Sequence, residues 1–285
     1  MEKLRIAVQK SGRLSEKTLE LFNECGIGLT GGSGRLLVDS PDFPVEVLYL
    51  RDDDIPQYVA DGVADVGVVG ENVYVETGKD VVITERLGFS KCRISLAIPK
   101  AHEYKGLEYF QGKRIATTYP VILSKFLKEK NITADIHVIS GSVEIAPGIG
   151  LADAIFDIVS SGSTLFSNNL KEVEVVMKSE AVLISTPNLS ASKQAILEDL
   201  IFRMRSVQKA KKNKYILLNA PKKNLDEIIA IIPGMKSPSI VPLADEGWVS
   251  LHSVVPEKDF WNIIGKLQDK GAQGILVIPI EKMIV

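Results

Sequence analysis

Only two cysteines occur in the 285 residues, Cys25 and Cys92, far apart and outside any C-x-x-C pair. Neither a disulfide framework nor a thiolate zinc site can organise the chain. The three histidines, His102, His137 and His252, show no ligand spacing and read as structural or surface groups. Long apolar runs are also missing: no window approaches the roughly 20 residues of a membrane-spanning helix. The opening segment, MEKLRIAVQKSGR, meets charged side chains after a few apolar ones, unlike the apolar core of a signal peptide. A cytoplasmic protein with no membrane partner is expected. Charge of one sign is lacking as well. The formal net charge is −2, which gives no general attraction to nucleic acid, so any anion site must be local. The basic run KAKKNK at 209–214 has no aromatic interleaving and reads as a solvated helix end and linker.

What is present is the composition of an ordinary globular protein, 45% hydrophobic and 25% charged, long enough for about two or three domains. A strand at 4–8 runs into Gln9, Lys10, Ser11, Gly12 and Arg13. Leu14, Leu21, Phe22 and Cys25 then recur at helical spacing, with Gly26 placed to end the helix. In α/β sheets ligands sit beyond the carboxyl ends of strands, and there Lys10 and Arg13 bring positive charge. A second strand at 45–49 ends in RDDDIP. Asp54 is placed to cap the helix that Ile55 and Pro56 begin, leaving Asp52 and Asp53 for hydrogen bonds or a Mg²⁺-bound phosphate group. Further strands at 64–69, 81–87, 92–98, 113–117 and 136–139, with a helix at about 120–130, imply βαβ units and a largely parallel sheet. Ser142 is placed to cap at the next junction, and Glu144 to face a ligand.

The stretch 150–169, GLADAIFDIVSSGSTLFSNN, carries Asp157 inside a buried strand and breaks into Ser160, Ser161, Gly162, Ser163 and Thr164. Gly162 lets the backbone approach closely, and hydroxyls with successive N–H groups suit a phosphate dianion. An ordinary Ser/Gly turn fits the same letters. The G-x-A-D pattern at 62–65 recurs at 150–153, each time before a strand, and hints at two similarly built lobes. After 173–184, apolar enough to cross between lobes, a long helix spans about 190–209. Beyond it the order strand, helix, two strands, helix, strand is ferredoxin-like. A regulatory or assembly role fits that small domain better than chemistry does.

Taken together, LRIAVQKSGRLS, RDDDIP, DVGVVGEN, GKRIATTYP, GSVEIAP, ADAIFDIVSSGSTLFSNNL, SPSIVPLA and ILVIPIEKM resemble, over essentially the whole chain, the long-form ATP phosphoribosyltransferase family. The resemblance implies an α/β fold with two periplasmic-binding-protein-like lobes around a cleft, residues 1–98 with 180–210 and residues 99–179. A ferredoxin-like (βαββαβ) regulatory domain follows at 211–285. It implies that N1 of the adenine of ATP displaces pyrophosphate from C1 of phosphoribosyl pyrophosphate (PRPP), the first step of histidine biosynthesis. Mg²⁺ as cofactor, histidine as feedback inhibitor and a dimeric or hexameric homo-oligomer are implied with it.

On this footing Ser160, Ser161, Gly162, Ser163 and Thr164 would hold the 5-phosphate, and Asp157 would face the ribose hydroxyls or the metal. One acid precedes the loop where the commoner phosphoribosyltransferase fingerprint has two adjacent acids, so the metal would be carried mainly by pyrophosphate and water. Lys10, Arg13 and Arg51 would neutralise pyrophosphate or triphosphate. Glu71, Glu144 and Asp153 would orient substrate, and Asn219, Ser239, Val254 and Gly274 match the family's histidine site. A non-catalytic two-lobed sensor of a nucleotide or amino acid is the competing reading, as is a catalytically silent regulatory subunit.

Overall fold

The computed structural model describes residues 2–30 and 36–284. It divides into two compact units, Met1–Leu197 and Glu198–Val285. In the first unit, strands β1 (Leu4–Gln9), β2 (Leu37–Asp39), β3 (Val45–Leu50), β4 (Val66–Gly70), β5 (Val82–Arg86) and β11 (Ala181–Ser185) form one sheet, ordered β2-β3-β1-β4-β11-β5. The strands β6 (Cys92–Pro99), β7 (Arg114–Thr117), β8 (Asp135–Val138), β9 (Ala154–Val159) and β10 (Leu170–Ser179) form a second, ordered β10-β6-β9-β7-β8. Helices α1 (Arg13–Glu24), α2 (Ile55–Ala60), α3 (Glu71–Thr77), α4 (Pro120–Glu129) and α5 (Ser163–Ser167) follow strand ends.

The two sheets repeat one plan. Apart from β2, the order β3-β1-β4-β11-β5 corresponds to β8-β7-β9-β6-β10, three parallel strands followed by two antiparallel ones. The fourth strand of each sheet arrives from the other lobe, so the chain crosses twice, at 87–91 and at Glu180. The repeated G-x-A-D pattern has a physical counterpart. Asp65 accepts the Arg5 backbone N–H at 2.8 Å, and the Arg5 guanidinium reaches the Val63 carbonyl at 2.9 Å. In the second sheet Asp153 accepts the Arg114 N–H at 2.9 Å, and that guanidinium reaches the Gly150 carbonyl at 3.0 Å. The same aspartate lock closes the entry to both pairs of strands.

The central strands are apolar on both faces because both are covered. In β1, Leu4, Ile6, Ala7 and Val8 are fully buried, as are Ala154, Ile155 and Phe156 in β9. Each such Leu, Ile or Phe stabilises the fold by roughly 1.5–3 kcal/mol.

Three local expectations change. The strand at 92–98, placed with the first lobe, pairs with β9 and β10 in the second sheet. Its buried residues 94–98 need partners on both edges, and apolar letters do not say which sheet supplies them. Asp54 makes no capping hydrogen bond, because Asp52–Asp54 form a 3-10 turn that leaves it in the right-handed helical region and not extended as a capping residue is. Ser142 also fails to cap, having left-handed φ of 51°.

The helix α6 (Ala191–Lys211) runs across the division between the units. The second unit then contains β12 (Asn213–Pro221), α7 (Leu225–Ile231), β13 (Ser239–Pro242), β14 (Trp248–Pro256), α8 (Phe260–Asp269) and β15 (Gln273–Pro279). The antiparallel order β13-β14-β12-β15 is the ferredoxin-like arrangement expected. One face packs Ile216, Leu218, Leu251 and Val255 with Ile228 and Leu267 of the helices. Alternation places Tyr215, Leu217 and Asn219 on the helix-free face.

Candidate active site

Strand ends of both sheets meet a cleft of ≈ 330 Å³ in the first unit. Its lining includes Arg13 and Lys17 of α1, Asp52 beyond β3, Asn72 of α3, Lys91 of the first crossing, Tyr119 before α4 and Ser160 beyond β9. Three cations thus share it with one carboxylate. The residue before α1 is Gly12, with φ of 96° and no side chain to cap the helix. The first-turn N–H groups are left for an external acceptor, and the helix dipole favours an anionic one.

On the opposite wall β9 gives way to the Ser/Gly loop. Gly162 adopts φ of 83°, and a Cβ there would meet nothing within 4 Å. Backbone handedness, not space, selects glycine. The hydroxyls of Ser161 and Ser163 lie 2.9 Å apart, and the Ser163 N–H donates to Ser161 Oγ at 3.3 Å. Arg93 donates to the Ser160 carbonyl at 3.1 Å while Glu172 grips its Nε and Nη2, each at 2.5 Å. An ion pair between β6 and β10 therefore fixes where the loop begins.

Asp157, towards the end of strand β9, has its carboxyl pushed up to about 6, chiefly by burial, with Glu144 adding repulsion against the N–H of Ile158 that lowers it. Tyr119 stands close by. Burial first, and then the negative charge of Asp157, holds its phenol well above the usual value, and its oxygen accepts Asn72 Nδ2 at 3.1 Å.

Sequence-expected residues fall into three groups. Arg13 and Ser160 share the cleft, and Asp157 and Glu144 are neighbours. Lys10 and Arg51 leave adjacent strand ends, since the Lys10 N–H donates to the Leu50 carbonyl at 2.8 Å, but neither is part of that cleft lining. Glu71 and Asp153 form the third group, each pairing with an arginine. Glu71 takes both terminal nitrogens of Arg86, at 2.7 and 2.5 Å. Asp153 pairs with Arg114 at 3.1 Å, at the start of the six-residue β9, roughly 20 Å from the Ser/Gly loop at about 3.3 Å per residue. Residues the sequence reading missed are Lys17, Asn72, Lys91 and Tyr119. Lys17, four residues after Arg13, shares its helix face and was open to being read; Asn72 reaches the cleft from the end of β4, and Lys91 through the first lobe crossing.

In the second unit, strand register puts Asn219, Ser239 and Val254 on the helix-free face. Gly274 joins them in a bulge of β15, with φ of 56°, where a Cβ would lie 3.3 Å from Asn219 Nδ2. The same face carries a relay from Tyr215 Oη to His252 Nδ1, 2.8 Å, and from His252 Nε2 to Ser250 Oγ, 3.0 Å.

A family model described as ATP phosphoribosyltransferase matches residues 51–206. The chain belongs to the ATP phosphoribosyltransferase family. A second model, the HisG C-terminal domain, matches residues 210–282. An ATP phosphoribosyltransferase of Parabacteroides distasonis is 65% identical over 99% of this chain and 100% of its own length. One from Bacteroides thetaiotaomicron is 64% identical over the same shares, and one from Cytophaga hutchinsonii 61% identical over 99% of this chain and 98% of its own. A chain of the ATP phosphoribosyl transferase (HisG:HisZ) complex from Thermotoga maritima superimposes with a TM-score of 0.61 at 29% identity, covering 71% of this chain and 98% of that one. The ATP phosphoribosyltransferase model spans Tyr119, Asp157 and the Ser/Gly loop, while α1 with Arg13 precedes it and is covered by the full-length relatives. Among the described residues no helix is long and apolar enough to cross a membrane.

Proposed function

We propose that this pentosyltransferase joins ATP to PRPP in the cleft of the first unit, the second sheet holding the ribose 5-phosphate and the first sheet the pyrophosphate. What carries this division is the pairing, across one cleft, of a hydroxyl-rich left-handed loop with an uncapped, cation-flanked helix start. The lone pair of adenine N1 attacks ribose C1, and the C1–O bond breaks with its electrons leaving on pyrophosphate. No enzyme nucleophile takes part, so catalysis is positioning together with stabilisation of the departing charge. Arg13 balances that charge with Lys10 and Arg51, and Lys17 and Lys91 add to the field. Ser160, Ser161, Gly162, Ser163 and Thr164 hold the 5-phosphate, Asp157 orients the ribose hydroxyls, and Glu144 tunes Asp157.

Mg²⁺ enters as the counter-ion of the substrate. No group of three or more acid, imidazole or thiol side chains placed to hold a metal occurs among the described residues, and Mg²⁺ characteristically takes one or two carboxylates with phosphate oxygens and water. The donor set fits that mode, with Asp157 as the carboxylate offered. When bound, the ion neutralises pyrophosphate charge.

Histidine is assigned to the helix-free sheet face, at Asn219, Ser239, Val254 and Gly274, as an inhibitor of the first step of its own synthesis. A homo-oligomer and a cytoplasmic location complete the reading. Incubation with ATP, PRPP and Mg²⁺ is expected to release one pyrophosphate per phosphoribosylated ATP, identified by mass. Folded protein that forms neither product at saturating substrate overturns the assignment. Gly274→Val is expected to abolish histidine inhibition, and unchanged inhibition would remove histidine from that face.

A further inference from the structure

The start of α4 is capped from the other lobe. Pro120 has no N–H, the preceding Tyr119 gives no side-chain cap, and the next two N–H groups, of Val121 and Ile122, donate to the two carboxylate oxygens of Glu76 at 2.8 and 3.0 Å. Glu76 belongs to α3, which follows β4 of the first sheet, whereas α4 follows β7 of the second. A carboxylate on two helix N–H groups gains charge-assisted hydrogen bonds and the favourable end of the helix dipole.

One turn earlier on the same face of α3, Asn72 donates to Tyr119 Oη. Asn72 is itself buried and doubly fixed: its N–H donates to Ser179 Oγ at 3.1 Å, and that hydroxyl donates back to Asn72 Oδ1 at 2.8 Å. Ser179 ends β10, beside the second crossing. Two crossing segments under a cleft are the geometry of hinge opening, and α3 fastens the lobes on the side where Tyr119 lines that cleft.

We propose that Glu76 is a positioning residue for the reaction: by capping α4 across the lobes it holds the cleft at its working opening and keeps Tyr119 in place. Without the cap the competent arrangement is less populated, and apparent affinity falls in proportion for every ligand that bridges the lobes.

The test uses the full-length protein with Glu76→Ala and the isosteric Glu76→Gln, which turns one acceptor into a donor. Hydrogen exchange of the Val121 and Ile122 amides, followed by mass spectrometry without substrate, is expected to accelerate about tenfold or more in Glu76→Ala, as both N–H groups lose their acceptors, and at one of the two in Glu76→Gln. The KM values for ATP and PRPP are expected to rise together by roughly tenfold, with kcat held within about threefold. Glu76→Asp should recover part of both effects. Unchanged exchange at Val121 and Ile122 overturns the proposal. So does faster exchange with both KM values unchanged, or a loss confined to kcat. If Glu76→Ala does not fold, Glu76→Gln carries the same two measurements. The kinetic arm rests on the reaction proposed above and the exchange arm does not, so failure of one is distinguishable from failure of the other.

Discussion

At the end of β4 the chain turns through Gly70 into α3, and at the corresponding end of β9 it turns through Ser160, Ser161 and Gly162 into α5. The first junction serves the other lobe: Asn72 and Glu76 fasten Tyr119 and α4. The second carries the hydroxyls of Ser160, Ser161 and Ser163, to which the 5-phosphate is assigned above. The remaining pair of junctions shows the reverse assignment. Beyond β1 lie Gly12 and the cations of α1, while beyond β7 lies Tyr119, held by Asn72. On the function proposed above, the duplicated frame is divided crosswise: each lobe gives one strand end to the substrate's phosphates and one to the contacts that join the lobes beside the cleft. The aspartate locks have diverged less. Both take the backbone N–H of an arginine, but Asp65 is buried and also binds Lys193 with both oxygens at 2.8 Å, whereas the more exposed Asp153 pairs with Arg114.

The sharpest break of this comparison comes from the ligand-directed glycine. In Gly162→Val the added Cβ meets nothing within 4 Å, but the residue must adopt left-handed φ, costing roughly 1–2 kcal/mol of stability. Steady-state kinetics should show kcat/KM for PRPP falling about a thousandfold as the N–H cradle is lost. The locks come next. Asp65→Ala strands the ammonium of Lys193 and is expected to destabilise by about 3 kcal/mol in urea unfolding, against about 1–2 kcal/mol for Asp153→Ala.

Arg13→Ala should lower kcat/KM by about tenfold to thirtyfold and weaken product inhibition by pyrophosphate, leaving stability nearly unchanged. The smallest effect concerns pH. If Asp157 serves as a carboxylate, as proposed, kcat/KM is expected to fall as pH drops through about 6. PRPP phosphates titrate nearby in every variant, so the informative quantity is a difference. Glu144→Gln removes the lesser of the two causes that raise Asp157, and the acid limb should move to lower pH by less than about one unit.

Much of this was legible in the letters. Local signals announced the β1 turn, the Ser/Gly loop and the βαββαβ domain, and the repeated G-x-A-D pattern announced the duplication. What escaped depends on pairings distant in sequence. No local signal marks the pairing of Asp153 with Arg114, 39 residues away, or that of Glu76 with the N–H of Val121, 45 residues on. The sheet to which β6 belongs is likewise decided by β9 and β10 and not by its own apolar letters.

The division of labour across the cleft is tested most directly by calorimetric binding of ribose 5-phosphate, which carries the phosphate of PRPP without its pyrophosphate. Binding should persist in Arg13→Ala within about threefold and weaken by about thirtyfold or more in Gly162→Val. Unchanged binding in folded Gly162→Val, or loss in Arg13→Ala alone, would contradict it.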